Sequence, residues 1–83
     1  MLVTKVGSFN SYLYRMKVEE AVVYLLSTEG RGMSTEALAH EINVRGLHLR
    51  GDGLPVTSAQ VYACVMRYKE MFCKDGRLIR LTI

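Results

Sequence analysis

The chain has few of the residues on which metal sites and disulfide frameworks are built. It contains two cysteines and two histidines among 83 residues, and Cys64 and Cys73 do not form a CxxC pair. A disulfide framework or a structural zinc site is therefore poorly supported, and free thiols favour a reducing compartment such as the cytosol. We expect no metal and no cofactor.

Long apolar runs and catalytic motifs are also missing. No run approaches the ~18 apolar residues that a membrane span needs, and residues 1–16 lack the apolar core and cleavage site of a secretory signal. The chain has no GxSxG, HExxH, phosphate-binding glycine loop or pair of catalytic carboxylates. We therefore expect a cytoplasmic protein that is not an enzyme, has no small-molecule substrate and does not associate with membranes. Asp52 is expected to form a turn.

The composition indicates one small folded domain. Hydrophobic residues make up 49% and charged residues 23% of the chain, which is ordinary for a globular protein. A chain of this length can bury a single modest core. We place the domain at residues 16–83 and an N-terminal extension at residues 1–15. The order of this extension is open, since either a short strand or a helix capped by Asn10 or Ser11 fits it.

The clearest helix is predicted near residues 58–69. Thr57 and Gln60 have the spacing of a capping box, in which each side chain satisfies a backbone N–H of the first turn. A buried stripe with helical spacing is formed by Val61, Cys64, Val65 and Tyr68. The opposite face carries Ala59, Tyr62, Ala63 and Met66.

Two earlier helices are predicted near residues 16–28 and 35–45. Gly30 ends the first, Ser34 or Thr35 caps the second, and Gly46 ends the second. At most two or three residues of strand at Met33 fit between them. The predicted buried residues of these helices are Val18, Ala21, Val22, Leu25, Leu26, Leu38, Ala39 and Ile42.

A loop and a hairpin complete the chain. Residues 47–55 are rich in turn-forming residues, with Leu47 and Leu49 available to pack onto the core. Asp75-Gly76 between two β-prone runs predicts a hairpin, on the expectation that both positions need positive φ. The alternation that follows predicts a packed side with Ile79, Leu81 and Ile83 and a wet side with Arg80 and Thr82.

The order of these elements predicts a winged helix-turn-helix, mainly α with a small β-hairpin. Such a fold has a three-helix core and a C-terminal wing. Its third helix is offered to a partner, and the wing lies beside that helix. The segments VEEA (18–21), GRGMSTEALA (30–39) and INVRGL (42–47) belong to helices one and two and their ends.

These segments resemble HARE-HTH domains, which occur in additional-sex-combs-like chromatin proteins, in the delta subunit of bacterial RNA polymerase and beside some DNA-modifying enzymes. Gly32 stands where such domains often have proline. The resemblance implies a module that links DNA or chromatin to associated machinery. It continues through Thr57, Val61, Tyr68, Phe72, Gly76 and Leu81.

The charge distribution favours DNA as a partner. Residues 57–83 carry a net charge of +3, whereas residues 17–56 carry −2, although an ordinary solvated surface gives the same counts. In the DNA-binding hypothesis the third helix enters the major groove and the wing contacts the backbone. We expect weak or no sequence specificity and, in a cell, association with the nucleoid. The candidate residues are Ser58, Gln60, Arg67, Lys69, Lys74, Arg77 and Arg80.

A protein partner or a homodimer is the alternative. Small, aromatic and adaptable side chains suit a protein interface better than a base-reading surface. A third possibility is that Leu47, Leu49 or the N-terminal extension covers this face within the monomer. The residues concerned are Ala59, Tyr62, Ala63 and Met66.

Overall fold

The computed structural model of the protein describes residues 16–82, which form three helices followed by a two-stranded antiparallel hairpin. This is the mainly helical layout predicted for a winged helix-turn-helix. The N-terminal extension and Ile83 lie outside the described residues. The elements are α1 (Val18–Glu29), α2 (Thr35–Arg45), α3 (Ser58–Arg67), β1 (Phe72–Asp75) and β2 (Leu78–Leu81).

The three helices bury their apolar stripes in one core. Phe72 and Ile79 of the hairpin are part of the same core. Among residues 16–82 no polar or charged residue is buried, so the core is stabilised by apolar burial alone. The sequence predicted the helical members correctly, including Val22, Leu25, Leu38, Ile42, Val61 and Val65.

The first helix begins two residues later than predicted. Lys17 has an extended backbone (φ −68°, ψ 161°), and its N–H donates to the Glu20 carboxylate at 2.9 Å. The possible helix caps at Asn10 and Ser11 lie outside the described residues. Gly30 ends α1 in the left-handed region (φ 68°), as its position predicted.

The caps of α2 and α3 are the predicted hydroxyls. The Ser34 hydroxyl accepts from the Ala37 N–H, and the Thr57 hydroxyl accepts from the Gln60 N–H, both at 3.1 Å. The third helix ends at Arg67, two residues before the predicted end. Tyr68 leaves the helical region there, with φ −115° and ψ 57°.

The hairpin turn differs from the predicted one. Asp75 is the last residue of β1 and pairs with Leu78, so the loop consists of Gly76 and Arg77. Gly76 has a φ of 64°, and no described residue other than glycine has a positive φ. Glycine at the first of two loop positions is typical of a type II′ turn. The expectation of positive φ at Asp75 is wrong.

The hairpin is attached to the helices through Met33 and Ile79. Their backbones exchange two hydrogen bonds, of 3.1 and 2.7 Å, so the short strand predicted at Met33 is a single bridge. A Cβ on the adjacent, buried Gly32 would lie 3.0 Å from Arg80 Cγ and 3.2 Å from the Ile79 carbonyl oxygen. A side chain at this position would therefore require β2 or the Arg80 side chain to shift by a few tenths of an ångström.

Asn43 connects the end of α2 to the start of α3. Its Nδ2 donates to the Val56 carbonyl, and its Oδ1 accepts from the Val56 N–H, both at 2.9 Å. These two bonds satisfy both backbone groups of a residue that belongs to no strand. The start of the loop between these helices is also attached to the rest of the domain, because the Met16 N–H donates to the Leu47 carbonyl at 2.8 Å. Leu49 is 57% exposed, so the expectation that it packs on the core is wrong, whereas Leu47 is half-buried against the core.

Replacing Asn43 with Ala removes both bonds and leaves two backbone groups of Val56 without their partner. We expect the free energy of unfolding to fall by about 1–3 kcal/mol, measured by urea denaturation. The matched control is Val44→Ala, since Val44 is the next residue in α2 and is 67% exposed. The control is expected to change stability by no more than about 0.5 kcal/mol. Equal losses in the two variants would contradict a stabilising role for the Asn43 bonds.

Candidate nucleic-acid interface

The exposed face of α3 is the one that its periodicity predicted. Val61, Cys64 and Val65 are buried, and the residues on the other side are in solvent. Neither Leu47 nor Leu49 covers this face, and the N-terminal extension, the third candidate cover, lies outside the described residues. The exposed set is Ala59, Ala63, Tyr62 (43% exposed) and Met66 (39% exposed).

A groove of about 170 Å³ lies where the start of α2, α3 and the hairpin meet; we call it the wing groove. The Nζ of Lys74 lies 5.8 Å from the centroid of the Tyr62 ring, within the range of a cation–π interaction. One groove therefore combines an aromatic ring, two cations and a carboxylate. Its lining residues are Thr35, Glu36, Tyr62, Lys74, Arg77 and Ile79.

The two strands place the wing cations on different sides of the hairpin. Lys74 is opposite Ile79, and Cys73 is opposite Arg80. Because successive strand residues point to opposite sides, Lys74 shares the side of the buried Ile79, and Arg80 lies on the other side. The Arg80 Nε donates to Asp75 at 3.2 Å. Lys74 and Arg77 therefore face the wing groove, and Arg80 does not.

A second groove, of about 410 Å³, lies between α1 and α3 and is lined in part by Gln60 and Arg67; we call it the helix groove. The reciprocal bond of the capping box, from the Thr57 N–H to the Gln60 side chain, is not formed. Gln60 Oε1 is buried and has no hydrogen-bond partner among the described residues. Gln60 and Arg67 thus belong to a different groove from Lys74 and Arg77.

The remaining predicted DNA contacts lie at the two ends of α3. Ser58 is the first residue of the helix and is half-buried, and Lys69 is exposed in the turn after it. The structure therefore does not gather the seven predicted residues on one surface. Lys74 and Arg77 line the wing groove together with Tyr62. Thr35 and Glu36 line it too, and the sequence did not predict them as site residues. No local pattern could have found those two, because α2 reaches the hairpin only through the tertiary fold.

Ion pairs neutralise several basic residues in the described part of the chain. Arg45 pairs with Glu29 and Glu41 at 3.2 and 2.8 Å, and Arg50 pairs with Asp52 at 2.6 Å. An anionic partner is attracted most where cations are uncompensated. The cations that form no ion pair with another described residue are Lys17, Arg31, Arg67, Lys69, Lys74 and Arg77.

Glu19 of α1 holds the inner side of α3 through two side chains. Cys64 Sγ donates to Glu19 Oε1 at 3.8 Å, and the Tyr68 hydroxyl donates to Oε2 at 3.3 Å. Burial, and then the charge of Glu19, raise the pKa of the Cys64 thiol to about 11. Cys64 is therefore an unreactive thiol that contributes to packing.

Asp52 is bonded within the loop that contains it. The Leu54 N–H and then the Arg50 guanidinium hold the pKa of Asp52 below its ordinary value, so this carboxylate stabilises its own loop. Within residues 16–82, no three His, Cys, Asp or Glu side chains are grouped so as to hold a metal ion. In the same range, no helix has both the length and the apolar character needed to cross a membrane.

None of the protein-family models, curated proteins or solved structures compared with the chain matches it. The resemblance to HARE-HTH domains therefore stays a prediction.

The two cysteines are expected to differ in reactivity. At pH 8 the exposed Cys73 should be alkylated by iodoacetamide, whereas Cys64 should stay unmodified because it is buried and almost entirely protonated. Mass spectrometry of the native protein should show one added group, and alkylation in urea should add two. The control is Cys73→Ser, which should be unmodified until it is unfolded. Rapid native alkylation of that variant would show that the α1–α3 contact is open.

Proposed function

We propose that this protein is a winged-helix module that associates with DNA, with weak or no sequence specificity, in a regulatory or adaptor role in the cytoplasm. The observation that carries the proposal is the wing groove. There the exposed face of α3 adjoins Lys74 and Arg77, which have no acidic partner among the described residues. The resemblance to HARE-HTH domains points to the same function.

The side chains available favour phosphate contacts over base reading. Arginine and lysine neutralise phosphates, and each such contact releases counterions. On the exposed face of α3, Ala59, Ala63 and Met66 cannot hydrogen-bond to base edges, and the Tyr62 hydroxyl is the one hydrogen-bonding group. Gln60 lies in the helix groove. Affinity would therefore come mainly from charge and would change little with DNA sequence.

The non-enzymatic part of the proposal rests on what the polar side chains already do. Asp52 is bonded within its own loop, and the thiol of Cys64 is protonated and donates to Glu19. His48 Nδ1 lies 2.7 Å from the Met16 carbonyl oxygen, and donation to that oxygen ties the loop to the residue before α1. These groups serve the fold, and a binding role for the outer surface is consistent with that.

Removing the groove cations should weaken the salt dependence of duplex binding. Lys74→Ala and Arg77→Ala are each expected to flatten the slope of log K against log salt by up to about 0.9, the value for one lost phosphate contact. The measurement is a fluorescence anisotropy titration of random-sequence duplex DNA at several salt concentrations.

Arg80→Ala is the matched control for this experiment, because Arg80 belongs to the same hairpin but lies on its other side. Its slope is expected to stay close to that of the wild type. A larger change for Arg80→Ala than for Lys74→Ala would mean that DNA contacts the outer side of the hairpin. Equal slopes in the wild type and all three variants would mean that the wing does not contact DNA.

A protein interface is the second candidate, and the exposure of Tyr62 and Met66 one turn apart on α3 favours it. Aromatic residues and methionine are enriched at interfaces, and methionine adapts to irregular surfaces. A homodimer or a partner protein would cover these two side chains together with Ala59 and Ala63.

Met66→Lys separates the two candidates. Lysine should preserve or strengthen DNA binding by adding a phosphate contact, yet it should disrupt an apolar protein interface. The companion variant Met66→Asp should weaken both kinds of association. Sedimentation velocity and duplex titration are the measurements, with circular dichroism to verify the fold. Weaker DNA binding by a folded Met66→Lys protein would rule out docking of this face of α3 on DNA.

A further inference from the structure

The wing groove has the composition of a site for a nucleobase. The Tyr62 ring provides an aromatic surface for stacking, and every base has a π-face that can use it. Lys74 Nζ lies over this ring, 5.8 Å from its centroid, so a base that stacks there takes the place of the ammonium, which turns to a flanking phosphate. Lys74 and Arg77 border the same groove and are exposed, so they can contact phosphates on either side of a stacked base.

Glu36 argues against a phosphate inside the groove. Its carboxylate lines the groove together with Thr35, and the Thr35 hydroxyl donates to one carboxylate oxygen at 3.3 Å. A phosphate at this position would meet a like charge, whereas a carboxylate can accept a hydrogen bond from the amino group of a base. The groove itself therefore suits the base, and the exposed cations suit the backbone.

A base within a duplex cannot use such a site. In B-form DNA the faces of the bases are stacked on their neighbours, and only their edges reach the grooves. The wing groove, at about 170 Å³, has room for one base. Stacking on Tyr62 thus requires an unpaired base.

We propose that the wing groove binds an unpaired base of single-stranded DNA, with Tyr62 stacking on the base and Lys74 and Arg77 contacting the flanking phosphates. This inference rests on the proposed DNA association and narrows it to a preferred form of DNA. Single-stranded DNA is bound more tightly than a duplex of the same sequence, because the duplex offers phosphates alone.

The test compares a short DNA strand that cannot pair with itself with the duplex of the same sequence, at one salt concentration, by fluorescence anisotropy. We expect the full chain to bind the strand about tenfold more tightly, as loss of one stacked base typically costs that much or more. Tyr62→Leu should lose about tenfold on the strand and less than about twofold on the duplex. Tyr62→Phe keeps the ring and should bind both as the wild type does.

The Tyr62 side chain is 43% exposed, so Tyr62→Leu and Tyr62→Phe should both remain folded. Thermal melting followed by circular dichroism verifies this. If the duplex is bound as tightly as the strand, or if Tyr62→Leu weakens both equally, stacking in the groove is refuted and DNA association stands. If neither DNA is bound even at low salt, the proposed function fails and this inference fails with it.

Discussion

The backbone pair between Met33 and Ile79 sets the position of the hairpin, and the wing groove depends on it. Gly32, which has no Cβ, lets β2 pass close to the turn that contains Met33. Two backbone hydrogen bonds join Ile79 to Met33, and the side chains of Phe72 and Ile79 are buried in the core. Together these contacts fix the hairpin relative to the helices. A hairpin joined to the domain only through the end of α3 would leave Lys74 free to move away from the Tyr62 ring.

The third helix is held from three directions, none of which uses its exposed face. Asn43 pairs with Val56 just before the helix begins. Glu19 accepts hydrogen bonds from Cys64 and Tyr68 near its end, and the apolar stripe packs on the core between them. The side chains of Tyr62 and Met66 therefore have no part in these attachments. Within residues 16–82 these attachments leave the face exposed, which is why both functional candidates concern the same surface.

Paired and unpaired cations lie in different regions of the described structure. Around α2 and the loop after it, Arg45 and Arg50 are paired with carboxylates, and these exposed pairs leave little net field. Near α3 and the hairpin, cations such as Lys69 and Arg77 have no partner among the described residues. Cation–π contact with Tyr62 orients Lys74 without neutralising its charge, so the ammonium still attracts an anion.

The sequence by itself determined the helices, the core and the presence of the hairpin. Local signals suffice for these features: a hydroxyl such as Ser34 caps a helix within three residues, glycine ends one, and apolar spacing selects the buried stripe. The predictions at Lys17, Tyr68 and Asp75 were wrong by one or two residues at the ends of helices and strands, where short-range preferences are nearly balanced. The exposed face of α3 could likewise be read from periodicity alone.

Only the tertiary structure decided which charged residues share a surface. Lys74 and Tyr62 meet because the fold brings β1 near α3, and the side on which Arg80 lies depends on strand register. The bonds of Asn43 to Val56 span 13 residues, and those of Glu19 span 45 or more. No local pattern encodes such distances. Side-chain partners depend on how the elements pack together, whereas caps and stripes depend on neighbours along the chain.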